Sequence, residues 1–180
     1  MRTKQMFIYG KLIDMHYIYR YDSPVGSMTM ASSGAALTGL WFDNQKHFAQ
    51  TLSEPYEEKL LPVFEETIRW LDIYFGGDIP DLTPELCLQS TLFRKAVWDI
   101  LLTIPYGETV TYGEIAKILA QNIGKEKMSA QAVGGAVGHN PVSIIVPCHR
   151  VVGADGSLTG YAGGIDRKKF LLELEGNITR

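Results

Sequence analysis

Val146-Pro147-Cys148-His149-Arg150-Val151 sets a thiol beside an imidazole, directly after the apolar run Ser143-Ile144-Ile145-Val146. The run reads as a strand. Pro147 fixes φ and has no N–H to give to a ladder, so the strand should end there and present the thiol from a rigid turn. Cysteine attacks as its thiolate, and a neighbouring imidazole or cation lowers the thiol pKa towards that form. Free cysteine is often buried and inert, but proline, histidine and arginine are poor company for a core position. Cys148 therefore reads as a nucleophile, and the rest of the chain is arranged around it.

Upstream, two helices with a turn between them lead into this stretch. Thr111 can cap a helix over residues 112–120, with Glu114 three residues on completing a capping box. Gly124-Lys125-Glu126-Lys127 makes the turn, and Ser129 can cap a second helix from Ala130 to Gly138. Ala130, Ala132, Gly134, Gly135 and Ala136 make that helix unusually small-sided. Glycine costs about 1 kcal/mol relative to alanine inside a helix, so the run needs a reason. Close approach to another backbone is one; close approach to a nucleic acid is the other, and a helix-turn-helix fits both. Further upstream, residues 91–102 form an amphipathic helix with Phe93, Val97, Ile100, Leu101 and Ile104 on one stripe, stopped by Pro105-Tyr106-Gly107.

Downstream, Val151 to Leu158 reads as a hairpin turning at Asp155-Gly156. Gly160-Tyr161-Ala162-Gly163-Gly164 is a loop able to close on a ligand, and Asp166 should cap a last helix, 167–175, ended by Gly176.

The first half is of another kind. Residues 16–42 alternate like a half-buried three-stranded antiparallel meander, with turns at Ser23-Pro24-Val25-Gly26 and near Gly34. A short helix is expected over 44–51 and a longer one over 55–75, ended by Gly76-Gly77. His16 and His47 read as surface or satisfied residues. From Gly76 to Ser90 the composition shifts to Gly, Pro, Asp and Thr, which marks a boundary. The expected domains are 1–85 and 86–180.

The 180 residues, 46% hydrophobic and 21% charged, suit a soluble protein of one large or two small domains. No apolar run reaches the ~20 residues that span a bilayer, and no signal-like segment follows Met1 to Met6; the expectation is a cytoplasmic protein with no membrane partner. Two cysteines, Cys87 and Cys148, argue against a disulfide framework and against a cysteine-built zinc site, and no metal is expected. The net charge of −3 divides unevenly: residues 1–90 hold seven basic and twelve acidic side chains, residues 91–180 ten and eight. The second half is the one suited to a polyanion, though weakly.

These residues together resemble the O6-alkylguanine-DNA alkyltransferase family. The resemblance runs through Pro105-Tyr106-Gly107, Thr109-Val110-Thr111-Tyr112-Gly113-Glu114-Ile115-Ala116, Ala132-Val133-Gly134-Gly135-Ala136, Asn140-Pro141, Pro147-Cys148-His149-Arg150-Val151 and Gly160-Tyr161-Ala162-Gly163-Gly164. It implies an α/β protein with an N-terminal ribonuclease-H-like sheet domain and a C-terminal winged-helix-like domain carrying the helix-turn-helix. It implies a monomer that meets double-stranded DNA in the minor groove through Ala130, Gln131, Ala132 and Gly135 on the second helix, together with Arg150, and flips the alkylated guanine out of the stack. Cys148 would take the alkyl group, His149 the thiol proton through a water, Glu175 would orient that histidine, Tyr112 would donate to the leaving guanine, and Asn140 would brace the turn. Tyr161, Gly163 and Val151 would line the pocket. No cofactor is implied, and a thioether has no easy hydrolytic exit, so each molecule reacts once. The alkyl donor would be O6-alkylguanine, with O4-alkylthymine as a further candidate. In one place the chain departs from the family pattern, carrying Gln131 where an arginine is usual. Two other readings remain at this point: a non-enzymatic sensor of alkylated DNA, which the presence of Cys148 opposes, and a thiol hydrolase, which would turn over repeatedly.

Overall fold

The computed structural model describes residues 5–8 and 11–176. The chain divides into two compact units, one from the chain up to Asn44 with Phe48–Gln89, the other from Gln45–His47 with the chain from Ser90 onward.

In the first unit, β1 (Gln5–Ile8) and β2 (Lys11–Asp14) pair antiparallel. The expected meander is present as β3 (His16–Ser23), β4 (Gly26–Ser32) and β5 (Leu37–Phe42), each antiparallel to the next. A fourth strand, β6 (Tyr56–Glu58), adds parallel to β3 and gives the order β5-β4-β3-β6. All six residues of β5 are buried, and Gly39 leaves room for the Trp41 ring two residues on; a Cβ at Gly39 would overlap that ring. Helix α1 (Pro62–Phe75) lies on the sheet through Phe64, whose ring stacks on Tyr19 at 6.3 Å, and the Tyr21 hydroxyl donates to Asp72 Oδ1 at 2.8 Å.

Two expectations for this region are corrected. The helix expected over 55–75 starts only at Pro62, whose fixed φ and missing N–H suit a first helical position, and its first residues are spent on β6. The short helix expected over 44–51 is a series of turns: Asn44, His47 and Ala49 have φ of 63°, 63° and 53°, which a right-handed helix does not accommodate.

The second unit holds α2 (Leu92–Leu101), β7 (Val110–Thr111), α3 (Tyr112–Asn122), α4 (Ala130–Gly138), β8 (Val151–Val152) and α5 (Ile165–Leu174). The capping box at Thr111 is formed in both directions: its hydroxyl accepts from the Glu114 N–H at 3.2 Å, and Glu114 accepts from the Thr111 N–H at 2.7 Å. Helix α4 packs against α2 and α3, burying Val133, Ala136 and Val137, and Trp98 of α2 donates its indole N–H to the Ala136 carbonyl at 2.9 Å.

Downstream of Asp155-Gly156 the expected hairpin does not form. The turn is there, with the Gly156 N–H on the Gly153 carbonyl, but Val151–Val152 pairs instead with β7, in parallel. Nor does Asp166 cap α5: Gly164 holds that position at φ 93°, with no side-chain cap.

Candidate functional site

Cys148 stands in a 3-10 turn, Cys148–Arg150, reached from a segment that is not the expected strand. Residues 143–146 are turns whose backbone bonds are local, Ile145 N–H to Ser143 and Val146 N–H to Val142. Ile144 is held at φ 69°, a left-handed conformation that costs a β-branched residue about 1–3 kcal/mol. The side chain of Asn140 takes the place of a neighbouring strand. Its Oδ1 accepts from the Val142 N–H at 2.9 Å, and its Nδ2 donates to the carbonyls of Val142 at 3.1 Å and Val146 at 2.8 Å. The same Nδ2 lies 3.0 Å from Cys148 Sγ. One amide thus shapes the turn and reaches the thiol.

Burial pushes the Cys148 thiol up to about 11, against the pull of the Asn140 hydrogen bond and the positive charge of Lys168. The cation that acts on Cys148 is therefore Lys168, not Arg150. Lys168 is wholly buried, donating through Nζ to the carbonyls of Val151 at 2.5 Å and Thr159 at 2.8 Å, and burial lowers its ammonium to about 8 while the thiol opposes the shift.

Arg150, expected at the DNA, is buried. Its guanidinium is turned inward, with Nε 2.9 Å from Glu175 Oε2, Nη2 3.0 Å from Oε1 and Nη1 donating to the Ile104 carbonyl at 2.6 Å. Three of its five N–H groups are committed to Glu175 and Ile104, and the side chain is buried, so its charge is spent inside the protein. Glu175 also accepts from His149 Nε2 at 2.7 Å. Burial would raise the Glu175 carboxyl, but the hydrogen bonds and charges of His149 and Arg150 outweigh it and hold it at about 2. Burial lowers the His149 pKa, only partly offset by Glu175, so the imidazole is neutral at pH 7. Pro105-Tyr106-Gly107, which in the sequence only stopped a helix, supports this carboxylate: the Gly107 N–H points at Glu175 Oε2 at 3.4 Å, and the Tyr106 ring lies 5.7 Å from the Arg150 guanidinium.

Beside these groups is a pocket of about 520 Å³ lined by Tyr112 of α3, by Ala130, Gln131, Gly134 and Gly135 of α4, by the loop 159–162 and by Lys46, His47 and His139. Cys148 is not on its wall, but Tyr112 and Tyr161, which are, both sense the thiol: burial first, then its charge, raise the two phenols. Tyr112 donates its hydroxyl to the Thr159 carbonyl at 3.1 Å.

Two family models match the chain: the DNA binding domain of 6-O-methylguanine DNA methyltransferase over residues 92–177, and the ribonuclease-like domain of the same enzyme over residues 15–86. The methylated-DNA–protein-cysteine methyltransferase of Mycobacterium tuberculosis is 48% identical over 157 residues, 86% of this chain and 88% of its own length. The chain belongs to the 6-O-methylguanine DNA methyltransferase family. The corresponding protein of Methanosarcina acetivorans is 45% identical over 161 residues, covering 89% of this chain and 99% of its own. Among solved structures, that of Mycobacterium tuberculosis OGT in complex with DNA superposes with a TM-score of 0.77 at 45% identity, over 88% of this chain and 92% of that one. The O6-methylguanine-DNA methyltransferase of Pyrococcus kodakaraensis gives 0.59 at 27% identity, over 90% and 99%.

In this methyltransferase-family chain the fold brings Asn140, Cys148, His149 and Glu175 into one buried set, and Tyr112, Ala130, Gln131, Gly135 and Tyr161 around one pocket. It leaves two expected residues out of that lining: the Val151 carbonyl holds Lys168, and the buried Gly163 gives its carbonyl to Arg167 at 2.9 Å. Ala132, expected at the DNA, is exposed on α4. Sequence reasoning missed Lys168, whose neighbour Lys169 is exposed, and it missed His47. That residue was read as a surface or satisfied histidine; its ring stacks on His139 with centroids 4.0 Å apart. The signal for Lys168 was its place three and four residues before Leu171 and Leu172, both buried on the same helix.

Proposed function

We propose that this chain repairs DNA by moving the alkyl group of O6-alkylguanine from duplex DNA to its own Cys148, once per molecule, as a methylated-DNA–protein-cysteine methyltransferase. The observation that carries the reading is the buried set itself, a thiol bonded to Asn140 with a neutral, carboxylate-held imidazole next to it in the chain. Sequence relatives bearing that enzyme's name cover most of the chain at 45–48% identity.

At rest the thiol keeps its proton, since its pKa lies near 11. With Glu175 holding the proton on Nε2, the His149 Nδ1 is the basic nitrogen, and it takes the thiol proton through a water as the base enters the pocket. Lys168 and the Asn140 amide then face a thiolate. Sulfur attacks the alkyl carbon in line: the S–C bond forms, the C–O6 bond breaks, and the electron pair leaves on the guanine, which takes up a proton. Tyr112 exchanges the Thr159 carbonyl for the leaving guanine as its hydrogen-bond acceptor. The product is a thioether, and no base in the site can hydrolyse it.

On the exposed face of α4, Gly135 faces open space, where an added Cβ would meet nothing within 4 Å. A helix this bare lets backbone approach a minor groove, and flipping delivers the alkylated base to the pocket. A reducing compartment, the cytoplasm, suits a protein whose two cysteines are both free and whose function needs a thiol. Among the described residues no helix is long and apolar enough to cross a membrane.

Methyl release from a duplex carrying O6-methylguanine tests the reading. The expected course is a burst equal to the protein concentration followed by none. Continued release with excess substrate would make the chain a hydrolase instead.

A further inference from the structure

The helix read as meeting DNA supplies no charge. From Ala130 to Gly138, α4 contains neither an acidic nor a basic residue, and Gln131 at its exposed start is neutral. The whole chain carries a net −3. Affinity for a duplex rests mainly on cations placed at phosphates, so the cations must come from outside α4. Three side chains at the mouth of the same pocket supply them: Lys46, His47 and His139. They are held there by structure. The Lys46 N–H donates to the Ala162 carbonyl at 3.0 Å, His47 sits at φ 63°, its ring stacks on His139 at 4.0 Å with 24° between planes, and His139 Nδ1 lies 2.7 Å from the Gly135 carbonyl of α4. Burial and then the charges of His139, Lys46 and Arg94 lower the His47 pKa; every charged group acting on that ring is a potential cation. Two stackable imidazoles gathered with a lysine and an arginine repel one another once protonated, and an anion placed among them removes that repulsion.

We propose that Lys46, His47 and His139 form a seat for a backbone phosphate of the DNA strand whose base enters the pocket. The seat rests on the proposed function and adds to it the source of the duplex affinity that α4 lacks. A seated phosphate favours the protonated rings, so binding takes up protons. The affinity that His47 adds is fully present below its pKa in the free protein, which is lowered, and is lost as pH rises through its higher pKa in the complex.

Binding of a duplex containing O6-methylguanine is measured in a Cys148→Ser background, across salt concentrations, near pH 6 and near pH 8. Lys46→Gln should lower the slope of log affinity against log salt by about 0.9, the share of one phosphate contact. Lys46→Arg should keep the slope, which separates charge from packing, and His47→Gln with His139→Gln should abolish the pH dependence. A wild-type slope in Lys46→Gln, or a pH dependence that survives without the two histidines, would overturn the seat. Methyl transfer by the Cys148-intact protein separates the two claims. If transfer from the duplex occurs while the slopes stay unchanged, only the seat falls; if no transfer occurs, the proposed function falls with it.

Discussion

Glu175 carries a negative charge at a position where burial alone would have neutralised it, because His149 and Arg150 bond its two oxygens. Glu175→Gln leaves the Arg150 guanidinium buried without a counter-charge, which costs about 3–5 kcal/mol. It also frees the imidazole to turn, so transfer should slow by ~10²-fold or more. The pH dependence has a definite sign. The folded pKa of about 2 lies below the ordinary value of 4.5, so the stabilisation is complete above 4.5 and is lost as pH falls towards 2. Chemical denaturation across that window should show the wild type losing stability that Glu175→Gln never had; identical acid profiles would mean the ion pair is not formed. Lys168 makes a second test possible. Its ammonium is the positive charge that favours a Cys148 thiolate, so Lys168→Met should move the pH–rate profile for a free alkylguanine base to higher pH. A uniform drop in rate with the profile in place would reduce Lys168 to a bond between two carbonyls.

At the scale of elements, α4 is a helix whose buried face is ordinary and whose exposed face is almost bare. Gln131 is exposed at its N-terminal end on the pocket rim. An arginine there would fill the gap left by a flipped base and bring a charge into a narrow, negative groove. Gln131→Arg should therefore tighten duplex binding and steepen its salt dependence by about one phosphate's worth, raising the rate on duplex more than on free base. An equal rise on both substrates would place Gln131 in the chemistry of the pocket rather than in the stack. The helices were legible because their signals are local: Thr111 with Glu114, Ser129, and the apolar stripe of α2 all act within one or two turns of chain. The segment 143–146 was misread for the opposite reason. Three apolar residues in a row after a serine look like a strand, but their backbone bonds are local turns and the side chain of Asn140, and no periodicity announces an asparagine standing in for a strand.

At the scale of the molecule, the order of Cys148, His149 and Glu175 could be read from the chain because the resemblance fixed each position, and the structure brings His149 and Glu175 within 2.7 Å. What stayed hidden was long-range placement. Adjacency made Arg150 look like the partner of Cys148, while the folded chain gives Arg150 to Glu175 and brings Lys168, twenty positions on, to act on the thiol. His47 and His139 are about half the chain apart, and left-handed turns at Asn44 and His47 flank the segment that brings them together. The central claim concerns Cys148 as the acceptor. After incubation with excess O6-methylguanine duplex, intact mass and peptide mapping should show one added methyl, about 14 Da, on Cys148, with Cys87 unmodified, since a thioether forms once and is not released. Methyl on Cys87, or an unchanged mass beside demethylated DNA, would contradict it.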